Sequence, residues 1–478
     1  MLVFEKRMRF FLILSVFSLA PIADEANAAV PTTYTCLRNF YVSDLNGNDN
    51  NDGHTPRTAW KTLQRPDRDV RAGDCVIVAD GTYAQSWEWR SSYGGNTNRP
   101  DGYVVYRAAH KWGAKITGTS KGYNLVRPLG SFLIFDGFEL DGSGGVQGAA
   151  FASDPSTDPH SQGHTEGTPG TVGGSQGHHI GVFNMNIHDF AGAGISLTNN
   201  DYFTIWKNVV HDTSKRSPYQ ESGISVWQPH AIYNFKPTGS YDVEKFHIKI
   251  LNNISYNNYT SDAVKEDHSD GNGIIIDAWK HDQTPPYDTY PYEGLVQGNL
   301  VYANGGKGIQ VAFSANVTVA NNTAIGNNRD PLSSATWRGE INVALSDNVT
   351  VINNVMLATP DPSEPRQQHN TAAFEGATGR DNSSVLWTNN LTFNTANNDA
   401  CFNASAPTLR ARIIADFQAA NPLMGVDPKV FASNVNVFKI GLPAPGSPVL
   451  FAGTPTPEYP PVSLSGAAQS DRPNIGAW

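Results

Sequence analysis

The sequence predicts an all-β protein folded as a solenoid, and three observations lead to that fold class. The chain has 478 residues with 44 glycines, only 16% charged residues and no sustained helical apolar period, as expected for many short strands joined by turns. Asparagines recur at steps of 23, 45 and 46 residues, and fixed periods of this size mark solenoids. One strand pattern also recurs five times, at Gly194–Thr198, Gly223–Trp227, Gly273–Asp277, Gly308–Ala312 and Glu340–Ala344.

The recurring strand predicts which side chains face the interior of the coil. Its second and fourth residues are apolar in every copy, so they point inward and the residues between them point outward. Adjacent turns of a coil lie about 4.8 Å apart, so outward residues of successive turns form rows. Asp277 is therefore expected between the indole of Trp227 and the methyl group of Ala312. The two outward rows run through Ser196, Ser225, Ile275, Gln310 and Asn342, and through Thr198, Trp227, Asp277, Ala312 and Ala344.

The periodic asparagines predict a ladder along the coil axis. Each one begins a short apolar segment, as in Asn299-Leu-Val-Tyr. An amide placed there can bond to the turn of the next coil and satisfy polar groups that would otherwise be buried without partners. The predicted ladder contains Asn208, Asn253, Asn299, Asn322, Asn354 and Asn390.

The N-terminus predicts export. Three basic residues precede an apolar run at 10–19 and a small-residue cleavage site at 26–28, so residues 1–28 are interpreted as a signal peptide. The remaining chain keeps the net charge of −10, which disfavours nucleic acid as a partner, and no further apolar run is long enough for a membrane span. A secreted or periplasmic monomer is expected. One pair among Cys36, Cys75 and Cys401 can form a disulfide there, and Cys36 with Cys75 is favoured because both lie near the N-terminus.

Long insertions at 212–222, 228–247, 261–272 and 278–296 enter or leave two middle turns of the coil, where they predict a functional site. Their carboxylates suit Ca²⁺, a hard cation that takes oxygen ligands, although a merely hydrated acidic loop would have the same composition. The candidate ligands are Asp262, Asp267, Asp270 and Asp277.

Aromatic residues near the same insertions predict sugar binding, because flat rings stack on sugar rings. Each ring taken singly is more often a packing residue, but five around one cleft favour binding. The candidates for substrate binding are Trp227, Trp279, Tyr287, Tyr290 and Tyr292, together with Gln310 on the outward row.

Several stretches resemble secreted polysaccharide lyases of the pectate lyase type, family 9 most of all. They are the opening Tyr41–Gly53, the rungs Asp270–Asp277 and Gly306–Val311, the turn Ser314–Thr323 and the closing Asp471–Trp478. The resemblance implies a single-stranded right-handed parallel β-helix at 29–478. Its N-terminal cap is expected at about 29–85, the coil at about 86–440 and the C-terminal cap at about 441–478.

The resemblance also implies a chemistry. In that family a lysine after the Gly-Asn-Gly rung removes the proton α to a uronate carboxylate, beside calcium held by several aspartates. Here Ile275 stands at the lysine position, and Glu221 begins the rung where paired aspartates are expected. β-Elimination needs a base near the C5 proton and a cation to acidify it. The candidate bases are Lys265, Lys280, Lys307, His268 and Arg338.

The sequence therefore predicts an exported lyase acting on an acidic, uronate-containing polysaccharide, with Ca²⁺ as cofactor. A glycoside hydrolase on the same fold is the first alternative, with Asp270, Asp277 and Glu340 as acid and base. A glycan-binding coil without catalysis is the second alternative.

Overall fold

The computed structural model of the protein describes residues 30–85, 89–91, 94–96, 99–119, 123–153, 177–231, 245–264, 268–282, 288–333, 338–359, 370–375, 384–395, 402–403, 415–430, 439–470 and 472–478. The predicted signal peptide and Cys401 lie outside these ranges. Within them, no helix has the length and apolar character needed to cross a membrane.

Three parallel sheets form the coil, and each turn of the chain contributes one strand to each sheet in succession. Every paired strand in the three sheets runs parallel to its neighbours, which confirms the predicted right-handed parallel β-helix. The core lies between the sheets. It is built from the inward rows of all three, for example Ile205, Ile274 and Val301, which are each 0% exposed.

Strands are numbered in chain order. Sheet A has eleven: β1 Arg38–Val42, β2 Asp74–Val78, β5 Val104–Ala108, β8 Leu133–Asp136, β11 Ile180–Phe183, β14 Phe203–Trp206, β17 Phe246–Leu251, β20 Glu293–Gln297, β23 Ala315–Ala320, β26 Asp347–Ile352 and β29 Val385–Thr388. Sheet B has eleven: β3 Gly81–Gln85, β6 Ala114–Gly118, β9 Glu139–Asp141, β12 Asn186–His188, β15 Val209–His211, β18 Ile254–Tyr256, β21 Leu300–Tyr302, β24 Thr323–Ile325, β27 Val355–Ala358, β30 Leu391–Asn394 and β32 Leu423–Met424.

Sheet C carries the five copies of the recurring strand. Its members are β4 Trp89–Ser91, β7 Val126–Pro128, β10 Phe151–Ser153, β13 Ile195–Thr198, β16 Ile224–Trp227, β19 Ile274–Asp277, β22 Ile309–Ala312, β25 Ile341–Ala344, β28 Ala372–Glu375 and β31 Phe402–Asn403. Two 3-10 helices, Pro56–Thr58 and Arg65–Arg68, lie near the N-terminus, and a short helix occupies 415–420.

The predicted asparagine ladder is present between sheets A and B. The Nδ2 atom of Asn253 donates to Oδ1 of Asn299 at 3.0 Å, and Asn299 donates in turn to Asn322 at 2.9 Å. All six predicted members are buried, and Asn421 extends the ladder beyond Asn390. The ladder therefore satisfies a column of buried polar groups along the coil.

A second ladder, between sheets B and C, was not predicted. Asn258 donates to Asn304 at 2.9 Å, and Asn304 donates to Asn327 at 2.8 Å. The ladder ends at Glu340, whose carboxylate accepts hydrogen bonds from the backbone and side chain of Asn327. This column fixes the turns from which the chain enters sheet C.

Segments at both ends of the described chain cover outer faces of the coil. Near the N-terminus, Cys36 and Cys75 form the favoured disulfide, and Val30 packs with residues of the outer face of sheet A. Near the C-terminus, Ile440 and Leu464 pack with residues of the outer face of sheet B.

Candidate active site

The candidate site lies on the central face of sheet C, which we define as the outward side chains of β16, β19 and β22 and the loop residues just before these strands. The predicted rows are in register: Asp277 pairs with Trp227 on one side and with Ala312 on the other. Glu221, Asp270 and Lys307 stand within four residues of the first residues of β16, β19 and β22. The turns that lead into sheet C therefore bring charged side chains to one place.

Asp277 is half-buried at the end of β19. The pKa of its carboxyl group is raised to about 7, mainly by burial and in addition by the negative charge of Asp270. A hydrogen bond from the backbone of Ala278 and the charge of Lys307 oppose these effects. Burial likewise raises the pKa of Asp270, against the effect of Lys307. The two carboxyl groups are therefore neighbours that hold protons more tightly than exposed aspartates do.

Glu221 is a third carboxyl group in this cluster. Its pKa is raised to about 7, mainly by burial and in addition by the charge of Asp270, and a hydrogen bond with Ser217 opposes the shift. Its Oε2 atom is buried and has no hydrogen-bond partner among the described residues. The side chain lies close to Gly192, where a Cβ atom would come within 2.7 Å of that oxygen. Glu221 thus has an open acceptor position beside Asp270. The sequence marked it only as a departure from the family pattern.

Lys307 supplies positive charge to the cluster. Its side chain is nearly fully buried, and Nζ donates a hydrogen bond to the carbonyl oxygen of Ser269 at 2.6 Å. Its backbone N–H donates to Oδ1 of Asn272 at 2.8 Å, which fixes the turn before β22. The positive charge of Lys307 lowers the pKa values of Asp270 and Asp277, so its side chain lies near both carboxyl groups.

Side-chain hydroxyl and amide groups form a frame beside the charged cluster. Asn272 donates from Nδ2 to Oγ of Ser222 at 3.2 Å and to Oε1 of Gln310 at 3.0 Å. Gln310 is only 5% exposed. Gln310 lies on the outward row of β22, as predicted. Asn272 holds the amide of Gln310 next to the turn that contains Lys307.

The aromatic predictions divide into two groups. Trp227 is 40% exposed beside Asp277, so its ring is accessible on the central face of sheet C. Trp279 and Tyr290 are 0% and 1% exposed in the core, which corrects the expectation that they stack on substrate. The loop after β19 turns inward, so that Trp279 donates to the carbonyl of Val226 and the hydroxyl of Tyr290 donates to Asp201.

Tyr292 also takes part in packing. Its ring stacks on that of His247 with centroids 3.5 Å apart and contacts the core. Tyr287 lies outside the described residues. The exposed rings that the sequence missed are Tyr123 and Tyr219, at 52% and 62% exposure.

Both missed tyrosines lie near Glu221. Burial raises the pKa of Tyr123, and electrostatic interactions with Glu221 and Tyr219 raise it further. They stand in loops without the strand period, so no repeat signal marked them. With Trp227, three exposed rings therefore lie near the carboxyl groups of the central face of sheet C.

The remaining candidate bases are held elsewhere. His268 contacts Oδ2 of Asp330 through Nδ1 at 2.6 Å, and Arg338 donates to backbone carbonyls of Asp330 and Ser333. Both side chains are buried in the loops before sheet C. Lys280 lies after β19 and pairs with Asp347 at 2.7 Å. Lys265 falls outside the described residues.

The predicted calcium ligands do not form a ready-made site. Asp262 is exposed on its loop, and Asp267 lies outside the described residues. In the described part of the chain, one group of three potential metal ligands has its ligand atoms within 4.8 Å of one another. It consists of Glu139, Asp141 and His188. Lys115 already contacts its two carboxylates, at 2.6 and 3.3 Å. Calcium therefore stays a prediction, and no chemical step below depends on it.

Glu340, which the hydrolase alternative placed in the site, belongs to the second ladder. It is 1% exposed and its oxygens face Asn327. Burial raises its pKa to about 8. The carboxyl group ends a buried column and does not line the central face of sheet C, so this assignment was wrong.

No family model and no curated protein matches the chain. Among solved structures, pectate lyase Pel9A is similar at 13% identity and a TM-score of 0.49, over 93% of this chain and 97% of that chain. An alginate lyase from Paenibacillus sp. str. FPU-7 is similar at 13% identity and a TM-score of 0.39, over 72% and 88%. A GH136 lacto-N-biosidase from Eubacterium ramulus is similar at 13% identity and a TM-score of 0.35, over 74% of this chain and 56% of that chain.

Proposed function

We propose that this protein is an enzyme that cleaves a uronate-containing polysaccharide by β-elimination on the central face of sheet C. One observation carries the proposal: the ammonium group of Lys307 lies within electrostatic reach of Asp270 and Asp277, on a face that also carries the exposed ring of Trp227. A cation and a proton acceptor at one sugar position are the two groups that β-elimination requires.

In this proposal the buried ammonium group of Lys307 attracts the uronate carboxylate electrostatically and so acidifies the proton at C5. Asp277, in its ionised form, takes that proton, because a carboxylate whose pKa is about 7 is a stronger base than an ordinary aspartate. The C5–H electron pair forms the double bond between C4 and C5. The bond from C4 to the glycosidic oxygen breaks, and its electron pair leaves on that oxygen.

Glu221 completes the reaction as the acid. A carboxyl group with a pKa of about 7 is partly protonated at neutral pH, so it can give its proton to the departing oxygen. Its buried Oε2 atom has no competing hydrogen-bond partner among the described residues. Solvent exchange then returns a proton to Glu221 and removes one from Asp277.

A glycoside hydrolase is the second candidate, and the raised pKa values of two carboxyl groups favour it specifically. Glu221 would protonate the leaving oxygen, and Asp277 would activate water or attack the sugar itself. This mechanism needs no charge on the substrate. The two candidates therefore share residues and differ in product.

The discriminating experiment follows ultraviolet absorbance of unsaturated uronate and, in parallel, new reducing ends. The purified protein meets a panel of acidic polysaccharides and their carboxyl-reduced, uncharged forms, each with calcium and with chelator. We expect absorbance to rise with the acidic polymers alone, and loss of that rise in chelator would show that calcium is required. New reducing ends without absorbance, on charged and uncharged polymers alike, would establish the hydrolase. Binding of a polysaccharide without either product would support the alternative of a glycan-binding coil without catalysis.

We also propose that the protein is exported and acts as a monomer. The apolar segment and the cleavage site before residue 29 support export. The disulfide between Cys36 and Cys75 is compatible with an oxidising compartment.

A further inference from the structure

A cavity separate from the central face of sheet C lies between the coil and the C-terminal segment. Its volume is about 430 Å³. The coil contributes Lys111, Lys207, Val209 and Ile254, and the C-terminal segment contributes Leu464 and Trp478. Binding sites for small molecules have volumes of about 300–1,000 Å³, so this cavity is large enough for a compact ligand.

Two lysines give this cavity its charge. The ammonium group of Lys111 lies 4.6 Å from the ring centroid of Trp112, the residue that follows it. That of Lys207 lies 4.4 Å from the ring centroid of Trp206, the residue that precedes it. Within the described parts of the chain, neither lysine forms an ion pair with a carboxylate. The lining residues include no Asp or Glu, on a protein whose net charge is −10.

The two ammonium groups also repel each other. Burial lowers the pKa of Lys111, and the charge of Lys207 lowers it further, so the two lysines lie near enough to interact. Asp136 opposes this effect, but its carboxylate already accepts hydrogen bonds from Tyr34 and Asn184, both at 2.7 Å. An anion between the lysines would relieve the repulsion.

The rest of the cavity is suited to a ring. Val209, Ile254 and Leu464 are buried apolar side chains, and Trp478 adds a half-buried indole that donates its N–H to the carbonyl of Ile440. Asn252 already donates its amide to the backbone of the C-terminal segment, at 2.9 and 3.0 Å, and so holds that wall in place. Ser465 places a hydroxyl group at the rim.

We propose that this cavity binds one anionic sugar residue, with the carboxylate between Lys111 and Lys207 and the sugar ring against Trp478. The choice of a uronic acid rests on the proposed function, because that sugar would be the unit of the substrate. The charge and apolar lining of the cavity do not depend on it. The cavity would then act as an accessory site that holds a chain end or product away from the reacting sugar.

The test measures binding of sodium glucuronate to the mature protein by calorimetry, with glucose as the uncharged comparison. The variant Lys111→Met/Lys207→Met removes both charges and keeps the alkyl chains on their tryptophans, and Lys61→Met removes one exposed charge elsewhere. We expect the double variant to lose about tenfold or more in affinity, because it removes both charged hydrogen-bond donors that would hold the carboxylate. Lys61→Met should bind as the wild type does, and glucose should bind far more weakly.

Equal affinity of the wild type and the double variant would overturn the inference, and so would equal binding of glucose. Thermal unfolding of each variant shows whether the fold is retained, and the single variant Lys207→Met repeats the test if the double variant is unstable. The polysaccharide assay is run on the same samples. Loss of glucuronate binding in the variant, with no cleavage of any polymer by the wild type, would support the cavity and reject the proposed function.

Discussion

Asp277 and Glu221 give the central face of sheet C two carboxyl groups that exchange protons near neutral pH. Their pKa values, both raised to about 7, have the same main cause, which is burial, and both rise further through the charge of Asp270. Lys307 acts in the opposite direction on Asp277. A proton donor and a proton acceptor can therefore coexist in this cluster at a pH where ordinary carboxyl groups are ionised.

These shifts predict how rate depends on pH. Asp277 must be ionised to accept a proton, so the rate rises as pH increases through about 7. Glu221 must be protonated to donate one, so the rate falls as pH increases beyond about 7. We expect kcat/KM to follow a narrow bell near neutral pH. The variants Asp277→Asn and Glu221→Gln should each lose about 10²–10⁴-fold in kcat, the usual contribution of a general acid or base.

Asp427→Asn is the control, because this exposed carboxylate lies near the C-terminal end of the chain and outside the loops of the central face of sheet C. It should keep both the rate and the bell-shaped pH dependence. The assignment fails if Asp277→Asn or Glu221→Gln retains full activity, or if Asp427→Asn loses as much as they do.

The asparagine ladder is the element that joins successive turns of the coil. Asn299 is fully buried; it donates to the carbonyl of Ile250 at 2.8 Å and accepts from the backbone and side chain of Asn253. The variant Asn299→Ala leaves these groups without partners, at ~1–3 kcal/mol for each buried group. We expect the free energy of unfolding to fall by about 3 kcal/mol or more.

Denaturant unfolding measures this change. Asn50→Ala, at an exposed turn, is the control and should stay within about 0.5 kcal/mol of the wild type. A change equally small in Asn299→Ala would show that the ladder contributes little to stability.

Glu340, at the end of the second ladder, predicts a dependence of stability on pH. Its pKa is about 8 in the folded chain, above the ordinary value of 4.5. Between these two values the unfolded chain releases the proton and the folded chain holds it. Folding therefore loses stability as pH rises through this window, by up to ~1.4 kcal/mol per pH unit.

Glu340→Gln cannot ionise, and its side-chain oxygen can still accept from Asn327. We expect the variant to gain stability relative to the wild type between pH 5 and pH 8. Denaturant unfolding at both pH values checks this, with the exposed Glu458→Gln as control. A difference between Glu340→Gln and the wild type that does not change with pH would contradict the account.

At the scale of the strands and ladders, the sequence predicts the regular elements well. The strand period placed Trp227, Asp277 and Ala312 in one row, since alternation along a strand is fixed by its geometry. The first ladder followed from the spacing of its asparagines. The second ladder also had a signal, because Asn258, Asn304 and Asn327 each stand five residues after a member of the first.

The loops limit what the sequence can predict. Trp279 and Tyr290 were expected on the surface and lie in the core, because a loop without a period does not reveal which way its rings turn. Glu221, Asp270 and Lys307 lie in three separate turns. The conformations of these turns bring the three side chains close together. The strand positions of the site were therefore predictable, and the partners of Asp277 were not.

At the scale of the whole molecule, the described terminal segments cover parts of two outer faces of the coil, those of sheets A and B. N-terminal residues pack on part of the outer face of sheet A, and C-terminal residues pack on that of sheet B. Sheet C keeps an exposed tryptophan and the charged cluster on its central face. A polymer lying there would cross successive turns at a spacing of about 4.8 Å.

The most direct measurement is a crystal structure of the Asp277→Asn variant bound to an acidic oligosaccharide. The account predicts the sugar chain on the central face of sheet C, with one ring against Trp227, one carboxylate at Lys307 and a glycosidic oxygen beside Glu221. An oligosaccharide bound only on sheet A or sheet B, or on sheet C away from Lys307 and Glu221, would contradict it.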